Sequence, residues 1–235
     1  MTITSHHNSK LKEIRKLNQR RRWRERSGRF VAEGEDLLAA ADAAGWTAVK
    51  RYCAAGSGLP GTEVEQSVLA SASGLGSGTR TLAVYEERWA SAAVGPLCVY
   101  LHGLSDPGNV GAVLRSAQAF GAASVALGPG TADPFSPKAV RASMGAVFGV
   151  PLARVSEIGG LPGRTVALVA DQGRPLRELD LGDVTLLIGA ERDGLPDELV
   201  RAADETGRIP IETHSLNAAM AASIALYEAT RMARG

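Results

Sequence analysis

From Leu97 to the C-terminus, short apolar runs alternate with amphipathic or Ala-rich stretches, and this alternation constrains the fold more than any other feature of the chain. Residues 97–101, 124–127, 165–170, 184–189 and 209–211 read as strands, and residues 109–120, 137–148, 197–204 and 218–231 as helices. Strands this apolar need cover on both sides. The pattern therefore predicts an α/β fold in which helices cover both faces of a largely parallel sheet. Ligands of such sheets gather beyond the carboxyl ends of the strands, so polar residues at strand exits are the first candidates for a site.

Three exits carry such residues. The first runs Ser105-Asp106-Pro107-Gly108-Asn109-Val110-Gly111 and continues to Arg115; its glycines lack the G-x-G-x-x-G spacing of a dinucleotide loop. Asn109 reads as a helix cap. Arg115 is either a surface residue with its stem along the helix or a fork for an anion. The second exit, Gly189-Ala190-Glu191-Arg192-Asp193-Gly194-Leu195, sets a carboxylate directly after a buried strand, over a cleft or in a loop salt bridge. The third is Ser215-Leu216-Asn217, ahead of a helix apolar on almost every side, which reads as a buried element. Ser215 can cap that helix, and Asn217 offers both a donor and an acceptor. Leu216, Met220, Ile224 and Tyr227 share one helical face, while Ala218, Ala221, Ala222 and Ala225 leave room for close approach. A capped packing helix explains the third exit as well as a site does.

The 235 residues, 45% of them hydrophobic, are enough for one large domain or two smaller ones. No apolar run approaches the ~20 residues of a membrane span, and the N-terminus lacks a secretory signal. Cys53 and Cys98 are too far apart in sequence to form a ligand-spaced cluster, so a reducing cytoplasm fits best. Charge is unevenly spread. Ten Lys or Arg and two Glu fall within residues 1–30, leaving 16 basic and 23 acidic residues in the rest. A basic arm on an acidic body points to a polyanion, most often nucleic acid. Lys10, Arg15, Arg20, Arg21, Arg22 and Arg24 are the candidate nucleic-acid contacts, with Trp23 placed to stack on a base. A merely solvated helix and an Arg-rich presequence compete with that reading. The arm reads as one helix over 9–26 with Leu11, Ile14 and Leu17 as its apolar stripe and Gly28 as its stop. A strand or turn over 30–34, a helix over 35–44 and a strand over 46–52 follow. A strand and short helix lie inside the Gly/Ser-rich 55–79 stretch, and a last strand spans 81–85. The boundary falls within 86–96, giving domains of 1–92 and 93–235.

In order and spacing, Asp106-Pro107-Gly108-Asn109-Val110-Gly111 with Arg115, Gly189-Ala190-Glu191 through Gly194-Leu195, and Ile209-Pro210 followed by Ser215-Leu216-Asn217-Ala218-Ala219 resemble the three signature motifs of the SpoU (TrmH-like) RNA ribose 2′-O-methyltransferases. Lys138-Ala139-Val140-Arg141-Ala142-Ser143-Met144-Gly145-Ala146 is similar to a recurrent segment of that family. Phe30-Val31-Ala32-Glu33-Gly34 and the basic helix before it are similar to the substrate-binding domain many members carry. The resemblance covers nearly the whole chain, specific in the C-terminal part and looser between Arg51 and Arg80.

The resemblance implies a C-terminal segment threaded into a deep trefoil knot, a topology that general connection rules would have rejected. It further implies S-adenosylmethionine held in the knotted loops, a homodimer that completes the active site, and an N-terminal domain that binds RNA. The chain stops soon after the third motif, which favours ribosomal RNA, 23S in particular; a transfer RNA methyltransferase and a non-enzymatic RNA-binding or ribosome-assembly protein are the alternatives. A serine hydrolase would need a G-x-S-x-G elbow that the chain lacks. By resemblance, Asn109, Arg115, Glu191, Ser215 and Asn217 carry the catalytic work. Arg115 is expected to grip an RNA phosphate and stabilise the developing alkoxide, with Asn109 and Glu191 fixing that arrangement and Glu191 as the alternative proton acceptor. Ala170, Gly189, Ile209 and Leu216 would wall the cofactor. No metal is expected, and His102 and His214 read as residues without a ligand role. Arg192 stands where many relatives have glycine, and His102 where an acidic residue is common.

Overall fold

The computed structural model describes residues 2–74, 78–212 and 215–234, with side chains as far as Arg231. Its N-terminal part contains α1 (Ser9–Gln19), α2 (Arg21–Ser27), β1 (Arg29–Glu33), α3 (Glu35–Ala43), β2 (Lys50–Ala54), β3 (Thr62–Val64), α4 (Gln66–Ala72) and β4 (Thr81–Glu86). The four strands form one sheet in the order β1-β4-β2-β3, antiparallel except for the β2–β3 pair. Leu11, Ile14 and Leu17 bury the apolar stripe of α1 against this sheet and α4, as their spacing predicts.

The basic arm is two helices rather than one. Arg20 adopts extended geometry (φ −128°, ψ 109°) and ends α1. The break is stabilised from the next helix: an Arg24 guanidinium N–H donates to the Leu17 carbonyl at 2.6 Å, meeting one of the carbonyls left open at the end of α1. Gly28, at φ 62°, stops α2 as expected. The strand expected over 46–52 begins only at Lys50, because Trp46 turns inward and its indole N–H donates to the Phe148 carbonyl at 2.9 Å.

The C-terminal part contains β5 (Leu97–Leu101), α5 (Pro107–Ala119), β6 (Ser124–Leu127), α6 (Pro137–Ala142), α7 (Ala146–Gly149), β7 (Leu152–Arg154), β8 (Arg164–Leu168), β9 (Arg174–Pro175), β10 (Val184–Ile188), α8 (Asp197–Ala202), β11 (Glu205–Arg208) and α9 (Ala218–Arg234). Seven strands pair in parallel in the order β7-β6-β5-β10-β8-β11-β9. Side chains alternate across the sheet. Leu97, Val99 and Leu101 meet α5, α6, α7 and α9, whereas Cys98 and Tyr100 face the layer that contains Leu199 and Val200 of α8.

Three expectations are corrected here. The last inner strand is 205–208, not 209–211: Glu205-Thr206-Gly207-Arg208 has no apolar run to announce it, and a Cβ at Gly207 would come within 2.7–3.1 Å of Leu176, Leu179 and Val166. The helix expected over 137–148 breaks at Met144 (φ 50°) and Gly145 (φ 94°), where α3 approaches so closely that a Cβ on Gly145 would lie 2.6 Å from the Ala40 Cβ. The third concerns α9, whose buried face is made of Ala218, Ala219, Ala222, Ala225, Leu226 and Ala229. Its large side chains face out, with Met220 62% and Tyr227 52% exposed and Ile224 exposed beside them. Small residues let α9 pack closely on α5 and the sheet; the bulky stripe is left uncovered.

The two sheets share one apolar core. The Phe30 ring lies 4.7 Å from Phe135 and 5.9 Å from Phe148, with Trp46 and Tyr85 packed edge-on around Phe148. An ion pair crosses the same boundary, Arg24 Nε to Asp133 Oδ2 at 2.7 Å.

Candidate active site

The first exit opens α5, and its cap is Asp106 rather than Asn109. The Asp106 carboxylate accepts from the Gly108 N–H at 2.6 Å and lies 2.8 Å from Lys138 Nζ. That frees Asn109, in the first turn, to point its amide across the strand ends. Its Nδ2 donates to Glu191 Oε1 at 2.9 Å, and its Oδ1 accepts from Asn217 Nδ2 at 3.1 Å. Asn217 in turn accepts from the N–H groups of Ala219 and Met220, taking the capping role that sequence assigned to Ser215. One chain of hydrogen bonds thus ties together the three exits, with Asn109 82 residues from Glu191 and 108 from Asn217.

Glu191 sits in a tight turn closed by reciprocal backbone bonds between Ala190 and Gly194. Gly189 is required there, because a Cβ would collide with the backbone of Gly194 and Leu195. Burial pushes the Glu191 carboxyl up, but the Asn109 side chain and the N–H groups of Glu191, Asp106 and Ser105 outweigh it and hold the group below the usual carboxylate range. Glu191 is therefore an ionised acceptor at neutral pH.

Beside this network lies a cavity of about 540 Å³. Ala170, Gly189, Ile209 and Leu216, the four residues expected to wall a cofactor, all line it, as do Glu191 and Ser215. Ile188, Leu195 and Ile211 add apolar wall. Sequence reading passed over Asp171 and Gln172, which also line the cavity; a polar pair separated by two residues from the end of β8 was the signal available. It also passed over the Ser105 hydroxyl, 3.5 Å from Glu191 Oε2.

Arg115 does not join the network. It is exposed on α5 and has no hydrogen-bond or ion-pair partner among the described residues. Six positions separate it from Asn109, about 240° around a helix of 3.6 residues per turn, so Asn109 and Glu191 cannot hold it as expected. The face of α5 that meets α9 is a different one: there the Ser116 and Ser223 hydroxyls meet at 2.6 Å and Phe120 packs edge-on to the exposed Tyr227, about 100° and 140° around the helix from Arg115.

Of the basic arm, Lys10, Arg20, Arg21 and Arg22 are exposed, with Arg21 paired to Glu25 at 2.8 Å. Arg15 is half-buried and donates to the His6 carbonyl. Arg24 is corrected from an RNA contact to a structural residue: it is 4% exposed, and its donors are engaged by Asp133 and Leu17. Trp23 is half-buried with Lys16 Nζ 4.2 Å from its ring centre. His102 Nδ1 lies 3.2 Å from the Tyr100 hydroxyl, and burial lowers its pKa; His214 lies outside the described residues. Among the described residues no group of His, Cys, Asp or Glu is arranged to hold a metal ion, and no helix is long and apolar enough to cross a membrane.

Residues 96–227 match the SpoU rRNA Methylase family, and residues 8–85 match the MRM3-like substrate binding domain. The chain belongs to the SpoU rRNA Methylase family. Its C-terminal part is accordingly the trefoil-knotted α/β fold that the three motifs implied. The 23S rRNA (guanosine(2553)-2′-O)-methyltransferase RlmP of Bacillus subtilis is 32% identical over 133 residues, covering 53% of this chain and 54% of that protein. The 23S rRNA (uridine(2479)-2′-O)-methyltransferase of Streptomyces viridochromogenes is 36% identical over 142 residues, 54% of this chain and 50% of the relative. The chain thus spans about half the length of these curated relatives. Among solved structures, the AdoMet-bound rRNA methyltransferase from Sinorhizobium meliloti is 31% identical with a TM-score of 0.87, covering 99% of this chain and 98% of that one. The SpoU methyltransferase AviRb from Streptomyces viridochromogenes, in complex with AdoMet, gives the same TM-score at 27% identity, with 97% and 99% covered.

Proposed function

We propose that the chain transfers a methyl group from S-adenosylmethionine to a ribose 2′-hydroxyl of ribosomal RNA, 23S rRNA in particular, in the cytoplasm. The observation that carries this reading is the hydrogen-bond chain Asn217–Asn109–Glu191 at the rim of the cavity walled by Ala170, Gly189, Ile209 and Leu216. The names of RlmP and of the Streptomyces viridochromogenes enzyme support the substrate and position, and the AdoMet complexes support the cofactor.

The residues present fit that cofactor. A cavity of about 540 Å³ lined by Ile188, Leu195, Ile209 and Leu216 together with the polar Asp171 and Gln172 suits a nucleoside-sized ligand, for which roughly 300–1,000 Å³ is usual. When bound, S-adenosylmethionine supplies an electrophilic methyl on a sulfonium. The chain's part is to align the 2′-oxygen with it, since geometry alone lowers such a barrier by several kcal/mol. Asn109, held from both ends, fixes the first exit relative to the second and third. Glu191, with its lowered pKa, serves as an anchor and is a poor acceptor for the 2′-hydroxyl proton. Ser215, on the cavity wall, and Asn217, at its edge, order the third exit around the ligand. Arg115, open to solvent, is the fork for an RNA phosphate.

Function divides between residues 1–92, which present Lys10, Arg15, Arg20, Arg21 and Arg22 to RNA, and residues 93–235, which hold the cofactor. The chain acts as a homodimer through the uncovered face of α9. Met220, Ile224 and Tyr227 form its apolar stripe, a surface of the kind that a second copy would cover.

The test is transfer of labelled methyl from S-adenosylmethionine to total RNA lacking the native modification, with ribosomal and transfer RNA separated afterward. Label at a ribose of ribosomal RNA, lost with Arg115→Ala, is the expected result. Label in transfer RNA overturns the substrate, and no label together with no cofactor binding overturns the activity.

A further inference from the structure

A second cleft, of about 410 Å³, opens between α2, the segment after β4 and the loops that leave the carboxyl ends of β6 and β7. Its walls include Arg21, Glu87, Trp89, Thr131 and Arg154. None of these lines the cofactor cavity.

Trp89 is fixed in place on two sides. Its indole N–H donates to Glu87 Oε2 at 2.9 Å, and Phe135 packs edge-on at 5.3 Å and 89°. The Arg154 guanidinium lies over the indole, 4.1 Å from its centre, with its side chain 64% exposed. A guanidinium held over an indole and open to the cleft leaves a planar surface for an incoming ring.

The charges select the kind of ligand. Arg21 is paired with Glu25 at 2.8 Å, Arg24 with Asp133 at 2.7 Å, and Arg154 lies 3.9 Å from Glu87. Each cation at the cleft has a carboxylate near it, so the field favours a neutral ring with hydrogen-bonding edges over a phosphate. The cleft is also coupled to the catalytic rim. The Gly103 N–H donates to the Pro129 carbonyl and the Ala132 N–H to the Leu104 carbonyl, both at 2.9 Å, so the cleft wall is bonded to the backbone just ahead of Ser105 and Asp106.

We propose that this cleft takes an unstacked nucleobase of the RNA substrate, from a nucleotide other than the one methylated, stacked on the Arg154 guanidinium with Trp89 beneath it. The inference rests on the reading of the chain as an RNA methyltransferase. It adds a specificity site at a fixed offset from the reacting ribose, so the sequence or bulge that supplies this base selects the target.

The experiment compares Arg154→Ala and Arg154→Lys with the parent protein on a ribosomal RNA that the parent methylates, reading kcat, the KM for RNA and the affinity for S-adenosylmethionine. Arg154→Ala is expected to raise the RNA KM about tenfold, the size of one lost base stack, with kcat and cofactor affinity within twofold. Arg154→Lys keeps the charge and loses the plane, and is expected to behave like the alanine variant. An RNA KM unchanged in Arg154→Ala, or restored in Arg154→Lys, overturns the proposal. A free-nucleoside arm separates the two sources of a base: parent tryptophan fluorescence quenched by millimolar adenosine or uridine, lost in Trp89→Phe, with RNA KM unaffected in Arg154→Ala, makes the cleft a nucleoside site and overturns it. If the parent labels no RNA at all, the methyltransferase reading fails first, and this inference falls with it.

Discussion

The cavity rim and the N-terminal arm treat their polar side chains in opposite ways. At the rim, Asn109, Glu191 and Asn217 use one another's donors and acceptors and leave little freedom of orientation. In the arm, Lys10, Arg20 and Arg22 stand in solvent, and Arg24 is the cation that is both buried and paired. Fixed geometry suits alignment of a reacting atom, whereas loose charge suits attraction of a flexible polyanion at varied distances.

The largest effect follows from breaking the rim. Asn109→Ala is expected to lower kcat about 100-fold, the scale of a misplacement of about 1 Å, while RNA affinity holds; a loss below threefold in a methyl-transfer assay would place the rim with the arm. Next comes the buried cation of the arm. Arg24→Ala leaves Asp133 without its partner and should cost about 3 kcal/mol in denaturant unfolding, Arg24→Met with Asp133→Leu should cost clearly less, and Arg22→Ala nearly nothing. Tyr227→Asp is expected to shift the protein from dimer to monomer in sedimentation and to lower methyl transfer with cofactor affinity retained. Replacing Arg20, Arg21 and Arg22 by Ala should reduce the slope of log affinity against log salt by roughly 2 to 3, with kcat unchanged.

The smallest effect is the pH dependence of the rim. Because the folded pKa of Glu191 lies below its unfolded value, its contribution to stability is present above the unfolded pKa and is lost as pH falls through the folded one. Parent and Glu191→Gln melting temperatures should therefore differ at pH 7 and approach each other in acid. A gap that widens in acid would reverse the sign and make Glu191 a proton-holding group.

Legibility followed the length scale of the interactions. Strands such as β5 and β10 are runs of apolar residues, and their exits carry polar side chains within a few positions, so the site residues stood out in sequence. Their mutual bonds did not, since Asn109 and Asn217 meet only after the sheet order is set. Arg24 looked like every other arginine of the arm, because Asp133 is 109 residues away. β11 has Gly207 where an apolar residue would have flagged it, and β7 and β9 are too short to show a period. In α9 the periodicity marked both faces as apolar, and only packing distinguished the alanine face, which approaches α5, from the larger one left outside.

Phe30, Trp46 and Tyr85 share their core with Phe135 and Phe148, and interiors packed in this way do not slide. The arm and the cavity are thus two marks on a single ruler. On the proposed reading, an RNA held at one mark would offer the other only the sugars that its own fold carries to that distance, so the choice of nucleotide would be partly a measurement of the RNA's shape.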